Sequence, residues 1–233
     1  MVLVVRKAAE RGYFDYGWLK TRHSFSFARY YDPRFTGFHS LKFLNEDVVQ
    51  PQSGFPAHAH KNMEILSLIL KGCLQHQDNQ GNGSVIHAGE VQLMGAGSGI
   101  VHSEFNPSSS ESVQFIQMGI TAEAQGLPPC YQQRTIPSNL VLNRWFFLAS
   151  RDGRESSMII RQDVHLYLTR LNATKSIARP LFPDRVGYIH IVEGAIVLNG
   201  VALQSGDGAM LSQLPSFEIR AEEESCVLFL DLI

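Results

Sequence analysis

Two short stretches of the chain each carry a pair of metal-ligating side chains two residues apart. The first is Gly54-Phe55-Pro56-Ala57-His58-Ala59-His60-Lys61-Asn62-Met63-Glu64, with His58 and His60. The second is Gly97-Ser98-Gly99-Ile100-Val101-His102-Ser103-Glu104-Phe105-Asn106, with His102 and Glu104. On a β-strand, residues i and i+2 point to the same face. Two such strands facing each other would set three imidazoles and one carboxylate around a single point. That donor set suits a divalent transition ion, with imidazole for iron, nickel, copper or zinc and a hard oxygen beside it. A lone His-x-His arises often by chance and usually marks nothing. The second pair, inside a Gly-rich segment, changes that balance. Both segments border apolar runs, residues 65–70 and 91–94, so the histidines lead into buried strands where polar atoms need partners. One metal ion is the most economical partner for four such groups.

Strand signals dominate the rest. Residues 22–28 alternate and read as a strand, and Tyr30-Tyr31-Asp32-Pro33 reads as a turn. Leu41-Lys42-Phe43-Leu44 alternates again, with Asn45-Glu46-Asp47 as its close. Residues 64–70 read as a buried strand and 74–78 as its return, followed by an Asn-Gly hairpin tip at 79–83. His76 and His87 lie on this hairpin, away from the four ligands in sequence, and read as surface or structural residues. His23 and His39 read as locally hydrogen-bonded. The aromatics Phe25, Phe27, Tyr30, Tyr31, Phe35 and Phe38 read as core packing, given the area such rings bury. Further short β-rich runs occupy 113–120, 158–160, 164–168, 188–192 and 226–230, and helical periodicity is weak throughout. The class is all-β, a sandwich or barrel. The Pro- and Gly-containing stretch 126–139 reads as a linker. It divides the chain into an N-terminal domain, 1–125, that carries the metal site and a C-terminal domain, 140–233.

The second half repeats the first without its ligands. Leu68-Ile69-Leu70-Lys71-Gly72 resembles Ile189-His190-Ile191-Val192-Glu193-Gly194, and each leads through a hairpin to a glycine and an acid, Gly89-Glu90 and Gly206-Asp207. Setting Gly72 on Gly194 places His58 and His60 on Pro180 and Phe182. Setting Gly89 on Gly206 places His102 and Glu104 on Ile219 and Ala221. All four ligand positions become apolar, which predicts a duplicated domain with one surviving metal site.

The formal net charge of −2 and the lack of a basic stripe give no footprint for nucleic acid. No apolar run approaches the ~20 residues of a membrane span, and the N-terminal apolar run is too short for a signal peptide. Three dispersed cysteines, Cys73, Cys130 and Cys226, suit a reducing cytoplasm better than a disulfide framework. Cys130, after Pro128-Pro129, reads as an incidental surface thiol in a loop.

The two ligand segments match the paired motifs of cupins. More specifically, Gly17-Trp18-Leu19, His23-Ser24-Phe25-Ser26-Phe27, Tyr30-Tyr31-Asp32-Pro33, His58-Ala59-His60-Lys61-Asn62-Met63-Glu64 and Gly99-Ile100-Val101-His102-Ser103-Glu104 resemble the signatures of the pirin family of bicupins, over nearly the whole chain. One departure is Ala59, where the family usually has proline. The resemblance implies two tandem jelly-roll cupin barrels packed face to face, with metal in the N-terminal one, bound by His58, His60, His102 and Glu104. In other cupins the glutamate of the first motif, here Glu64, is a ligand; it ranks below Glu104 here. The resemblance also implies a quercetin 2,3-dioxygenase activity, known for some members, or a metal-dependent regulatory role, known for others. The leading expectation is therefore a dioxygenase that takes a flavonol-like aromatic and O₂, with Glu104 as base. The alternative is a metal- or redox-sensing regulator that binds a partner protein, and a cupin isomerase or sugar binder ranks third. Iron(II) is the first choice of metal, ahead of nickel, manganese, cobalt, copper or zinc. A monomer or weak dimer is expected, with no membrane association.

Overall fold

The computed structural model describes residues 2–233, the Leu140 side chain excepted. Its strands are β1 (Val2–Arg6), β2 (Gly12–Asp15), β3 (Leu19–His23), β4 (Leu41–Val49), β5 (Gly54–His60), β6 (Met63–Lys71), β7 (Cys73–Asp78), β8 (Gly83–His87), β9 (Glu90–Gly95), β10 (Ile100–Phe105), β11 (Val113–Thr121) and β12 (Cys130–Thr135). They continue with β13 (Phe146–Ser150), β14 (Met158–Ile159), β15 (His165–Leu171), β16 (Ser176–Pro180), β17 (Val186–Glu193), β18 (Ala195–Leu198), β19 (Val201–Gln204), β20 (Gly208–Ser212), β21 (Ser216–Ala221) and β22 (Ser225–Leu232). No described helix is long and apolar enough to cross a membrane.

Two compact units result. One comprises Gly12–Ile136 with Ile160–Gln162; the other comprises Pro137–Ile159, Asp163–Ile233 and the chain up to Arg11. The first unit has a seven-stranded sheet, β12-β9-β6-β11-β4-β3-β2, and a four-stranded sheet, β5-β10-β7-β8. The second repeats this pattern as β1-β20-β17-β22-β15-β13-β14 and β16-β21-β18-β19. Each unit is thus a jelly-roll pair of sheets, not a closed barrel. The first strand of the chain, β1, pairs antiparallel with β20 and belongs to the second unit. The stretch read as a linker contains β12, whose residues pair with β9 from Cys130↔Gly95 to Thr135↔Glu90. β12 and β1 take equivalent edge places in their sheets.

Three local expectations differ from the structure. The alternation over 22–28 ends as a strand at His23; of the aromatics expected in the core, Phe25 and Phe35 are buried, Phe27, Tyr30 and Phe38 are partly buried, and Tyr31 is 74% exposed. Asn45-Glu46-Asp47 does not close a strand: β4 runs on to Val49, with Asn45 and Asp47 buried inside. Cys130 is half-buried on β12, not in a loop, and burial pushes its thiol above the usual range, away from the reactive thiolate.

The core of the first unit is divided by a polar band. Leu19, Val49, Ile69, Leu74, Ile86, Val113 and Phe115 form one apolar cluster. Ile65, Met94, Ala96 and Ile100 form another. Between them the register sets His23 opposite Asn45, Asn45 opposite Gln117, Gln117 opposite Ser67, and Ser67 opposite Gln92. Paired residues on adjacent strands share a face, so this row crosses five strands on the inner side of the large sheet. Buried polar groups at this density need partners, and the small sheet supplies them.

Candidate metal centre

The two ligand-bearing strands are neighbours in the small sheet, not strands facing each other across the sandwich. β10 pairs antiparallel with β5, and His102 stands directly opposite His58. The register slips next to this pair: Glu104 pairs with Phe55, so Pro56 and Ala57 together oppose Ser103. Such a bulge suits Pro56, which has no N–H to give a ladder. The Pro56 carbonyl oxygen accepts a hydrogen bond from His58 Nδ1 at 2.9 Å. That leaves His58 Nε2 free to ligate.

His58, His60 and His102 bring one ligand nitrogen each to within 4.8 Å of one another. Their ring centroids lie 4.9 Å (58 to 60), 4.4 Å (58 to 102) and 5.1 Å (60 to 102) apart. His102 is 1% exposed, and its Nε2 is buried with no hydrogen-bond partner. An orphaned imidazole nitrogen facing two others is costly unless something binds it. Burial, then His58, lowers His60 to about 4; burial, then its imidazole neighbours, lowers His102 to about 3. Both are therefore neutral near neutrality, the form that ligates a metal. The residues present fit a divalent transition ion.

Glu104 lies two residues along β10 on the same face as His102 and is 2% exposed. Gln117 Nε2, from the polar band, donates to Glu104 Oε1 at 2.9 Å, to Oε2 at 3.1 Å and to Ser67 Oγ at 3.1 Å. Burial outweighs this donor and pushes the Glu104 carboxyl up to about 7. With His58 and His60 it lines one cavity of about 330 Å³, whose walls also hold Leu19, His23, Phe27, Asn45, Phe55 and Gln117. The ligand atoms that converge within 4.8 Å are those of the three histidines, and Glu104 is not among them.

Glu64 faces the other way. β5 ends at His60, and Asn62, with φ of 55°, turns the chain into β6 of the large sheet. Ile65 and Ser67 point inward, so Glu64 points outward. There it is fully buried against Arg161, whose Nη2 and Nε lie 2.8 and 3.1 Å from Glu64 Oε1. The condition for Glu64 to share the histidine face, an unbroken strand from His58, is not met.

His76, read as remote, is at the site. It stands opposite Glu104 in the β10–β7 register, is fully buried, and its ring lies 5.2 Å from that of His102. Asp78 stands opposite His102 and holds His76 Nε2 at 2.9 Å. Burial raises the Asp78 carboxyl, but donors from His76, Asn82 and Gln80 outweigh it and leave it below the usual range. The missed signal is the same i, i+2 spacing, His76-x-Asp78, on a hairpin next to the ligand strand. His23 is buried and bonded through Nδ1 to Asn45 Oδ1 at 2.8 Å, a partner on the neighbouring strand β4 where a local one was expected.

In the second unit this region is filled. Ile219 and Ala221 on β21 are buried in the apolar core, as the repeat predicts for the positions of His102 and Glu104. Pro180 ends β16 and Phe182 lies beyond it, 64% exposed, so the inward side chain there is Arg179, with its guanidinium 3.7 Å from the Tyr167 ring centroid. Among the described residues no second cluster of potential ligands forms.

Comparison with known proteins agrees with this architecture. The pirin domain family matches residues 4–120, and the quercetinase C-terminal cupin domain family matches residues 147–232. The quercetin 2,3-dioxygenase of Escherichia coli K12 is 40% identical over 231 residues, covering 99% of each chain. The crystal structure of YhhW from Escherichia coli superposes with a TM-score of 0.97 at 39% identity, covering 100% of this chain and 98% of that one. A second crystal structure, of the bacterial pirin YhhW in complex with nickel(II), gives a TM-score of 0.95 at 39% identity over 99% of both chains. On the domain match and the full-length identity together, the chain belongs to the pirin family.

Proposed function

We propose that this protein is a metal-dependent dioxygenase that cleaves a flavonol-like, hydroxylated aromatic. The observation that carries the reading is the cavity. It reaches His58, His60 and Glu104, and its other walls hold Phe27, Phe55 and Leu19 together with the His23–Asn45 pair. A regulator that only senses metal has no use for an aromatic-lined space of this size beside the ligands, whereas a planar substrate needs one. The relatives named quercetin 2,3-dioxygenase support the same substrate class.

In this reading His58, His60, His102 and Glu104 hold the metal. When bound, a divalent transition ion supplies Lewis-acid polarisation of the substrate oxygen and a site for O₂. Iron(II) is the first choice, and the nickel(II) complex of the Escherichia coli pirin supports nickel as a second. Glu104 accepts the proton of the substrate hydroxyl. Gln117 donates to both of its oxygens and so fixes the carboxylate in the cavity wall. Burial raises this carboxyl in the metal-free chain, and a bound cation would lower it toward the ionised form that accepts a proton. Phe27 and Phe55 flank the ring system and exclude water, and His23 and Asn45 offer polar contacts to the end remote from the metal.

Cleavage incorporates both atoms of O₂ and releases one ring carbon as carbon monoxide. The test is O₂ uptake and carbon monoxide release by protein loaded separately with iron(II) and nickel(II), over flavonols and simpler enediols. One O₂ consumed and one carbon monoxide released per flavonol supports the reading. Tight metal binding with no uptake on any substrate overturns it in favour of the sensor.

A further inference from the structure

We propose that Asp78 and His76 form a positioning relay that fixes the tautomer of His102 and so leaves its Nε2 bare for metal. This inference rests on the histidine cluster being a metal site; it does not depend on the reaction catalysed there.

The relay follows from hydrogen-bond chemistry in one direction. An ionised carboxylate only accepts, and Asp78 Oδ2 lies 2.9 Å from His76 Nε2, both side chains being fully buried. His76 Nε2 must carry the proton. Gln92 Nε2, which can only donate, lies 3.0 Å from His76 Nδ1 and makes that atom an acceptor; His102 Nδ1 lies 3.4 Å from the same atom. Because His76 Nδ1 has no hydrogen, the contact with His102 is favourable only if His102 Nδ1 carries one. A neutral His102 with its proton on Nδ1 has a free lone pair on Nε2, the atom found buried without a partner. The opposite tautomer would set two lone pairs against each other at His76 and put a hydrogen where the metal belongs.

Asp78 is itself pinned. Asn82 Nδ2 donates to its Oδ2 at 2.9 Å, and the backbone N–H groups of Gln80 and Asn82 donate to Oδ1 at 2.9 and 3.0 Å. The β7–β8 turn therefore sets the carboxylate, which sets His76, which sets the ligand. Metal-bound histidines commonly rest on a carboxylate or carbonyl directly. His58 does so here through Pro56. For His102 the support is one imidazole longer.

The test uses the full chain. In the metal-free protein, long-range ¹H–¹⁵N correlations of the imidazoles should show His76 protonated on Nε2 and His102 on Nδ1. Nickel(II) affinity, measured by chelator competition, should fall ~10–100-fold in Asp78→Asn. His76→Leu should fall as far, and His76→Asn should recover part of the loss, because its carbonyl oxygen can stand near Nδ1 and accept from His102. A purely structural His76 gives the reverse order, since leucine fills a dry site better than asparagine. His102 protonated on Nε2 in the metal-free chain, or nickel affinity ordered by packing alone, overturns the relay. Failure of the wild type to bind nickel at all, with no difference in His102→Ala, would defeat the metal reading instead, while the tautomers of the metal-free chain would still decide the relay.

Discussion

Glu104 is asked to be both ligand and base, and the consequence can be counted in protons. Its carboxyl is raised from the ordinary 4.5 to about 7 by burial, with Gln117 opposing. With that value the metal-free site carries on Glu104 ~0.9 proton at about pH 6, ~0.5 at about pH 7 and ~0.1 at about pH 8. If Glu104 ligates, that proton leaves when a divalent ion arrives. Calorimetry of nickel(II) binding in two buffers of different ionisation enthalpy measures proton release directly. The difference between wild type and Glu104→Gln, both at saturation, isolates this one group, because the histidines contribute to both. The difference should trace the falling series above. A difference near zero throughout, or one that does not decline between about pH 6 and pH 8, refutes Glu104 as a ligand held near neutrality.

The same elevation has a sign in stability. The costly form is the ionised one, so the penalty is absent below the ordinary value of 4.5, grows as pH rises and is complete above about 7, where it amounts to about 3 kcal/mol. Glu104→Gln is neutral at every pH. Metal-free Glu104→Gln should therefore gain on metal-free wild type as pH rises from about 5 to about 8, as read by urea denaturation, and the gain should disappear once nickel is added.

Elemental analysis should find one metal per chain, because the second unit has no ligand cluster among its described residues; two tightly held ions would contradict this. His58→Ala and His102→Ala should lose the metal yet keep a native circular dichroism spectrum, since the apolar clusters around Phe115 and Met94 do not include these residues; wholesale unfolding would make the metal structural. Glu64→Gln should keep the metal and lose about 2 kcal/mol of stability by leaving Arg161 undercompensated; loss of metal would show that Glu64 is a ligand after all. Gly54→Ala should destabilise by about 1–3 kcal/mol and weaken nickel binding, because a Cβ there meets the Glu104 carbonyl and the Phe105 backbone; unchanged affinity would show that the β5–β10 spacing does not set the site.

The histidine cluster was legible because its spacing is local: two residues on one strand share a face wherever the strand ends up. What surrounds the cluster was not, because it depends on which strands become neighbours. Asn45 and Asp47 looked like a turn because polar residues usually end strands; here they point inward and meet partners from other strands. His76 looked remote because 26 residues separate it from His102, a distance that the β10–β7 pairing removes. Glu64 looked eligible because nothing local distinguishes Lys61-Asn62 within a strand from the turn it makes. The place of β1 in the second unit rests on an edge pairing across some two hundred residues, which no local pattern reports.

The repeat explains why the polar row matters as much as the histidine cluster. With Gly72 set on Gly194 and Gly89 on Gly206, Ser67 corresponds to Ile189 and Gln92 to Ala209. Following the registers across the second unit gives Phe147 opposite Tyr167, Tyr167 opposite Phe229, Phe229 opposite Ile189, and Ile189 opposite Ala209. Every member of this row is buried and belongs to one apolar cluster. The equivalent row in the first unit is His23, Asn45, Gln117, Ser67 and Gln92. Buried amides and imidazoles are tolerable only while each has a partner, and in the first unit those partners include Glu104 and His76. Once the ligands are gone, the polar row has nothing to hold and each unsatisfied group costs about 1–3 kcal/mol. Ligands and row therefore stand or fall together. Placing three histidines and a glutamate at the equivalent positions of the second unit without its row would leave them unsupported among Phe217, Phe229 and Tyr167, and should give no tight metal site.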